Sequence, residues 1–289
     1  MKNYKEYDKE SIRAAIECGL KRDLHMHTCY SDGSLTPEEV IDLRVSKGFE
    51  CLAITDHDGM EASAMGMEYA EKLGISFISG IELDSNDEVG RDLHMLGYGF
   101  DYNNPDFRRD LLDIRVKRAQ RNDRLMKALN DHGYNITLED VGAINDGRYV
   151  GKPTFAQILV QKGVANTPDQ IFKGVFREDD IRAIKKETIS SKKAIDIIHE
   201  AGGVAILAHP MEQRHMEESF KDFLPRMYKI LDKMREYGVD GIECTHPSAS
   251  HRQKEILMEY ADFHGLIISE GSDLHNPLVP RNYARYHRP

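Results

Sequence analysis

The chain has 289 residues, of which 40% are hydrophobic, and it carries a formal net charge of −10 at pH 7. This length and composition can bury a substantial core. The sequence has no apolar run near the roughly 20 residues that span a bilayer, so we expect no membrane partner. The negative charge argues against broad, non-specific binding of nucleic acid, which depends on neutralising backbone phosphates.

The cysteines and the N-terminal residues favour a reducing, cytoplasmic compartment. Cys18, Cys29, Cys51 and Cys244 are scattered, without the paired spacing of a disulfide framework or a metal motif. Reduced thiols in a reducing compartment are the simplest interpretation. The charged residues 1–9 are followed by no apolar signal segment, so we expect a cytoplasmic protein. The sequence leaves its oligomeric state open.

The predicted elements begin with a helix and a strand. Apolar residues at helical spacing predict an N-terminal helix within residues 4–20. In the strand that follows, His25 and His27 point to the same face, because side chains alternate along a strand. Asp32 and Gly33 then form a turn, from which the carboxylate can reach back to the imidazoles. A lone His-x-His pair is weak evidence for a metal site.

The same pattern of an apolar run followed by a metal-ligand residue then recurs. A predicted strand at 51–55 leads to His57, and another at 75–81 leads to Glu82. His94 lies inside a further apolar run, where an uncharged core histidine is the ordinary explanation. Each residue by itself is more typical of structure than of catalysis, but the recurrence favours a shared site.

Two predicted helices separate these strands. Thr36 offers a capping hydroxyl, Pro37 stands at the first helical position, and Glu39 follows three residues after the cap. Residues 61–73 form the second helix. Such alternation is typical of parallel β/α units, whose loops gather on one face.

The alternation is interrupted over residues 103–190, where helical spacing predicts a mainly helical insertion. This segment contains 16 Lys or Arg against 13 Asp or Glu, and residues 108–127 alone contain 8 against 3. A solvated helix face is the ordinary explanation. The alternative is a cap over the site that binds a second, non-reacting phosphate of a substrate. For that role we favour Arg148 and Lys152.

The strand pattern resumes near residue 191. A predicted strand at 204–208 leads to His209, and one at 266–269 leads to Asp273 and His275, which again share one side of an extended segment. Imidazoles mixed with carboxylates, without cysteine, suit manganese, iron or zinc in a catalytic site. A further strand at 239–244 precedes the last two candidates for substrate contact, which are His246 and His251.

These motifs, taken in order, carry a family resemblance. They are His-x-His (25–27), Thr-Asp-His-Asp (55–58), Gly-Ile-Glu (80–82), His94, Ala-His-Pro (208–210) and Ser-Asp-x-His (272–275). Together they resemble the PHP (polymerase and histidinol phosphatase) metal-dependent phosphoesterases over residues 21–100 and 192–276. The resemblance implies an α/β fold with a distorted seven-stranded β/α barrel and a mainly helical insertion domain. We expect an N-terminal helical extension at 1–20, barrel segments at 21–102 and 191–289, and a substrate cap at 103–190.

The resemblance also implies three divalent ions per chain. One would be held by His25, His27, Glu82 and Asp273, a second by Glu82, His94 and His209, and a third by Asp32, His57 and His275. A carboxylate at Asp32 resembles the branch that acts on small phosphoesters. That branch has an arginine- and histidine-containing stretch where this chain has Lys152 and Thr154, and lysine cannot form the bidentate contact of arginine with phosphate. The ligand types leave Mn²⁺, Fe²⁺ and Zn²⁺ open.

The implied mechanism is hydrolysis by a hydroxide that bridges the two ions sharing Glu82, since metal binding lowers the pKa of water. The third ion would stabilise charge on a phosphoryl oxygen. No protein nucleophile is needed, and no residue is identified as the general acid.

We therefore expect a phosphoesterase acting on a small phosphorylated substrate, such as a nucleoside 3′,5′-bisphosphate or a cyclic sugar phosphate. A 5′-to-3′ exoribonuclease acting on a short oligonucleotide is the alternative among enzymes. A non-catalytic metal-binding regulatory module is the alternative from another class. It is disfavoured because all nine ligand positions are filled.

Overall fold

The computed structural model describes residues 8–144, 149–215, 217–279 and 281–287. Within these ranges the chain alternates helices and strands. The helices are α1 (Lys9–Ile16), α2 (Pro37–Val45), α3 (Glu61–Leu73), α4 (Pro105–Asp131), α5 (Leu138–Gly142), α6 (Lys152–Gln161), α7 (Pro168–Lys173), α8 (Asp179–Ala183), α9 (Ser191–Glu200), α10 (Phe220–Glu236) and α11 (His251–His264). The strands are β1 (Arg22–Asp23), β2 (Cys51–Leu52), β3 (Ser76–Phe77), β4 (Gly80–Asn86), β5 (Asp92–Tyr98), β6 (Ile189–Ser190), β7 (Val204–Leu207), β8 (Gly241–Thr245) and β9 (Ile267–Glu270).

The described strands form two sheets. A parallel three-stranded sheet has the order β1-β2-β3, and a mixed six-stranded sheet has the order β6-β4-β5-β7-β8-β9. Two isolated bridges join them, one between Met26 and Leu274 and one between His57 and Glu82. The ends of β1 and β2 are therefore held against β9 and β4, which brings distant parts of the chain to one edge.

The prediction was a distorted seven-stranded β/α barrel, but the described strands form two sheets and no closed barrel. Strands β4 and β5 pair antiparallel, and so do β5 and β7. Residues 87–91 join β4 to β5, and a connection this short can only make a hairpin, because parallel strands need a long crossover. Asp87 closes the turn by accepting hydrogen bonds from the backbone of Val89 and Arg91 at 3.0 and 2.9 Å.

The single strand predicted at 75–81 is divided into β3 and β4, so that Glu82 lies within a strand rather than after one. The chain turns at Gly80, whose N–H donates to Ser63 Oγ on α3 at 2.8 Å. A Cβ at Gly80 would lie 2.6 Å from the backbone oxygen of Ile54, so only glycine allows this close approach.

Local sequence explains several helix ends. The capping box predicted at Thr36 is present, with Thr36 Oγ1 accepting from Glu39 N at 3.2 Å and Glu39 Oε2 accepting from Thr36 N at 2.8 Å. Helix α3 has the bounds predicted for it and ends at Gly74, whose φ of 69° is a left-handed value. Fixed ends of this kind set where the following loops begin.

The sheets are covered by helices on both sides. The N-terminal helix α1 packs Ile12 and Ile16 into a core cluster with β5 and β7. Helices α4 to α8 lie between β5 and β6 in the chain and enclose a separate apolar cluster that includes Leu125, Phe155 and Leu159. The division into a barrel and an inserted cap stays a prediction. No helix in the described part of the chain is both long and apolar enough to cross a membrane.

Candidate metal centre

The predicted ligands meet where the two sheets join, next to the bridge between His57 and Glu82. The backbone around this junction takes uncommon conformations. Non-glycine residues with left-handed φ there are Asp58 (49°), His209 (27°) and Asp273 (51°). Strained backbone of this kind concentrates at functional sites, because the surrounding structure must enforce it.

Glu82 lies at the middle of the cluster and is 1% exposed. Around its Oε2 atom are His25 Nε2 at 3.3 Å, His27 Nε2 at 3.1 Å and His57 Nδ1 at 3.3 Å. Around its Oε1 atom are His94 Nδ1 at 2.8 Å and His209 Nε2 at 3.1 Å. The two oxygens of one carboxylate thus face two sets of imidazoles, which is a geometry suited to bridging two cations.

The donor atoms predicted for the first ion converge. The Nε2 atoms of His25 and His27 lie 3.2 Å apart, and Asp273 Oδ1 lies 3.6 and 3.2 Å from them. Burial by itself would lower the pKa of His27, but hydrogen bonds to Asp273 and Glu82 raise that pKa to about 9. The carboxylates therefore create strong negative potential at the point where these imidazoles meet.

The residues predicted for the third ion also lie together. Asp32 Oδ1 is 3.1 Å from His275 Nε2, 3.8 Å from His57 Nε2 and 3.7 Å from His27 Nδ1. His275 Nδ1 lies 2.9 Å from the backbone oxygen of Asp273, so its proton is directed away and Nε2 faces the carboxylate. Burial would raise the pKa of Asp32, but His275 and His57 hold it well below its usual value.

The residues present fit divalent metal ions. Buried atoms without a hydrogen-bond partner among the described residues include Asp32 Oδ1, His57 Nδ1 and His209 Nδ1. Leaving buried polar atoms unpaired costs free energy, which bound cations would offset. Groups in this centre whose donor atoms lie within 4.8 Å of one another are His27, Asp32, His57 and His275; His25, Glu82 and His209; His25, His246 and Asp273; and His57, Asp84 and His94. All are nitrogen and oxygen donors, as manganese, iron or zinc accept.

Asp84 lies in the cluster but was not singled out from the sequence. It is 3% exposed, and its Oδ1 atom lies 3.2 Å from His57 Nδ1 and 3.1 Å from His94 Nε2. Its Oδ2 atom contacts Lys186 Nζ, and Arg118 Nη2 lies 3.6 Å away. The sequence does contain a signal for Asp84. Residues two apart on a strand share a face, and Asp84 follows Glu82 by two.

Arg281 and Tyr283 are a second addition, on the C-terminal side. Arg281 Nη1 lies 2.7 Å from Asp273 Oδ2, and its Nη2 lies 2.7 Å from His275 Nε2. The Tyr283 hydroxyl donates to Asp273 Oδ2 at 2.8 Å. No strand or helix spacing in this segment marks these residues, so sequence reasoning had no signal for them.

The residues predicted to contact substrate differ in whether they reach the cluster of predicted metal ligands. His246 reaches the cluster, with its side chain buried and its Nε2 atom 3.6 Å from Asp273 Oδ2. His251 does not, because it is the first residue of α11, its side chain is 88% exposed, and its nearest charged partner is Glu255. Lys152 begins α6 and lies 5.6 Å from the centre of the Phe176 ring, while Arg148 lies outside the described residues.

Comparison with known proteins decides the family. A model of the PHP domain matches residues 23–267. The chain belongs to the PHP domain family. The matched region contains both sheets except for the first and last few strand residues, so the family assignment extends over most of the described PHP fold.

Relatives found by sequence comparison are named as enzymes that cleave phosphate esters. The chain is 30% identical over 257 residues to a 5′-3′ exoribonuclease of Haemophilus influenzae, covering 89% of this chain and 90% of the relative. It is 31% identical over 259 residues to a 3′,5′-nucleoside bisphosphate phosphatase of Chromobacterium violaceum, covering 88% and 87%. A solved structure from Bifidobacterium adolescentis, predicted to be a metal-dependent phosphoesterase, superposes with a TM-score of 0.77 at 29% identity and covers 91% of each chain. This PHP protein is a metal-dependent phosphoric ester hydrolase, which leaves the alternative of a non-catalytic module without support.

Proposed function

We propose that this PHP protein removes a phosphate from a small nucleotide, of the nucleoside 3′,5′-bisphosphate type. The observation that carries the proposal is the placement of Glu82, whose two oxygens face two sets of buried imidazoles. Cations placed on either side of one carboxylate would lie close enough to act on the same phosphate group.

We assign the nine residues predicted from the sequence to hold three divalent ions, with Mn²⁺, Fe²⁺ and Zn²⁺ as candidates. His25, His27, Glu82 and Asp273 would form one set of ligands, Glu82, His94 and His209 the second, and Asp32, His57 and His275 the third. When bound, such ions supply a water of lowered pKa and offset the charge of the phosphoryl group. No side chain of the protein is needed as the nucleophile.

The chain also supplies cations of its own around the centre. Arg118 and Lys186 contact Asp84 from the helical segment between β5 and β6, and Arg281 contacts Asp273 from the C-terminal side. A substrate phosphate entering the centre can accept hydrogen bonds from these side chains. Their contacts with two different carboxylates, Asp84 and Asp273, suit a substrate with two phosphates.

A cleft leads from the centre toward α4 and suits the remainder of the substrate. Its volume is about 380 Å³, and it is lined by residues that include Tyr30, His57, Arg118 and Tyr149. The Arg118 guanidinium lies 4.6 Å from the centre of the Tyr149 ring. A space of this size, with aromatic and cationic walls, matches a nucleoside better than a long polymer.

Exonucleolytic cleavage of short RNA from its 5′ end is the second candidate. It is favoured by the exoribonuclease relative and by the basic residues of α4, two of which, Arg115 and Arg118, line the cleft. Further nucleotides could extend along this helix, where positive charge would attract the backbone.

A screen of hydrolysis products distinguishes the candidates, with free phosphate measured for the bisphosphate and the monophosphate, and with ring-opened ester or released nucleotides resolved by chromatography for the other two substrates. The manganese-loaded protein would be given a nucleoside 3′,5′-bisphosphate, a nucleoside monophosphate, a cyclic sugar phosphate and a 5′-phosphorylated oligoribonucleotide, with chelator-treated protein as the control. We expect kcat/KM for the bisphosphate to exceed that for the monophosphate by about 10- to 100-fold, because a charged hydrogen bond contributes about 1.5–3 kcal/mol. Higher kcat/KM on the oligonucleotide would favour the exoribonuclease, and higher kcat/KM on the cyclic ester would make this PHP protein a cyclic phosphodiesterase.

A further inference from the structure

Glu243 is a buried carboxylate next to the centre that neither the sequence motifs nor the proposed ligand sets include. It lies on β8 and is 0% exposed. Its Oε1 atom lies 2.9 Å from His25 Nδ1, and its Oε2 atom accepts a hydrogen bond from the backbone N–H of His209 at 2.8 Å. One carboxylate therefore contacts two residues that we assign to two different ions.

The contact with His25 determines which ring nitrogen faces the centre. A carboxylate only accepts hydrogen bonds, so the ring must present its proton on Nδ1 to Glu243. The other nitrogen, Nε2, then points at the cluster, where Glu82 Oε2 lies 3.3 Å and Asp273 Oδ1 3.6 Å away. A neutral imidazole binds metal through the nitrogen that carries no proton, so this arrangement makes Nε2 the donor.

The hydrogen bond from the His209 N–H to Glu243 stabilises the strained backbone conformation of His209. His209 has φ 27° and ψ 58°, which is unfavourable for a residue with a side chain. The hydrogen bond to Glu243 holds its N–H in that conformation, and the ring then reaches Glu82 Oε1 at 3.1 Å. The strain persists only while such contacts enforce it.

We propose that Glu243 is a positioning residue, which sets the ring proton of His25 and the backbone of His209 and thereby controls the affinity of the centre for metal. The proposal rests on the metal-ligand roles given to His25 and His209 under the proposed function. Glu243 is not assigned contact with metal or substrate.

Glutamine at this position cannot replace the carboxylate, because both partners are donors. If its amide oxygen accepts from His209 N–H, its NH₂ group faces His25 Nδ1 and displaces the proton to Nε2. If the amide is reversed, the NH₂ group faces the His209 N–H instead. In the first orientation His25 loses Nε2 as a metal donor, and in the second two donors face each other at His209.

The test is the affinity of metal-free Glu243→Gln protein for Zn²⁺ alone, measured by competition with a chromophoric chelator. We expect affinity to fall by about 10- to 100-fold, as for other residues that orient a metal-binding histidine. The matched control is Asp240→Asn, because Asp240 also accepts from a backbone N–H, of Ala205 at 2.8 Å, and lies 2.6 Å from a ring nitrogen of His199, away from the centre. Unchanged zinc affinity in Glu243→Gln, or an equal loss in Asp240→Asn, would overturn the proposal.

A measurement on the unaltered protein keeps the proposal testable if Glu243→Gln does not fold. In the zinc-loaded protein, nitrogen-15 NMR should show His25 protonated at Nδ1 and metal-bound at Nε2; the reverse assignment would overturn the proposal. The zinc-affinity assay tests the role of Glu243, and the phosphate-release assay tests the proposed function, so each claim can be rejected without the other. Phosphate release with normal zinc affinity in Glu243→Gln would reject only this inference, whereas weakened zinc binding without turnover on any ester by the unaltered protein would reject only the proposed function.

Discussion

Replacing Glu82 with glutamine is expected to reduce kcat/KM for phosphate release by at least about 10³-fold, because it removes the charge that two cations would share. Burial by itself would raise the pKa of Glu82, but His57, His25 and His94 hold that pKa well below its usual value, so the side chain is ionised in the folded protein. An amide of the same shape has only one acceptor oxygen and cannot bridge. Metal content after loading with manganese should fall by at least about one equivalent.

The control for this substitution is Glu259→Gln, the same change at an exposed position on α11. It should leave both turnover and metal content unchanged. Circular dichroism on the Glu82→Gln protein should show the same helix content as the unaltered protein, since Glu82 contacts side chains of the centre. Full turnover by Glu82→Gln would show that this carboxylate does not bridge metal ions.

Replacing Gly271 with alanine is expected to disturb the centre through the backbone. A Cβ at this position would lie 2.2 Å from His25 Cβ, 2.7 Å from His25 N and 2.9 Å from Glu243 Oε1. The chain cannot move away easily, because Gly271 N–H donates to Thr245 O at 3.0 Å and the neighbouring Glu270 O accepts from Leu24 N at 3.1 Å. We expect overpacking to cost roughly 1–3 kcal/mol of stability and to displace His25 from the centre.

Thermal unfolding of the metal-free protein and zinc affinity measure both consequences. The melting temperature should fall by several degrees, since roughly 2–4 °C accompany each kcal/mol in a chain of this size. Gly19→Ala is the matched control, because nothing lies within 4 Å of the position that its Cβ would take. If Gly271→Ala kept the stability and zinc affinity of the Gly19→Ala protein, the close packing of Gly271 on His25 would be wrong.

Much of the candidate site could be predicted because its residues follow short apolar runs. His57 and His209 each follow a strand pattern of apolar residues, and the recurrence of that pattern, rather than either histidine alone, favours a shared site. The bounds of α3 were also predicted closely, because Gly74 marks the end of that helix. Such signals are local, so one sequence is enough to read them.

The remaining features depend on contacts between distant segments. Glu243 sits within an apolar strand and is marked only by its partners, one of them 218 residues away in the chain. The antiparallel pairing of β4 with β5 follows from a tight turn at Asp87 that composition did not reveal. The sequence also did not reveal that His251 begins α11 with its side chain exposed to solvent, so its contact with substrate stays a prediction.

The central claim is that divalent metal at the Glu82 centre is required to hydrolyse a phosphate ester. The most direct measurement is metal analysis combined with phosphate release from a nucleoside 3′,5′-bisphosphate, before chelation, after chelation and after manganese is restored. We predict about two to three equivalents of metal per chain, loss of turnover on chelation and recovery on reloading. A folded protein that contains almost no metal and yet releases phosphate at an undiminished rate would contradict the claim.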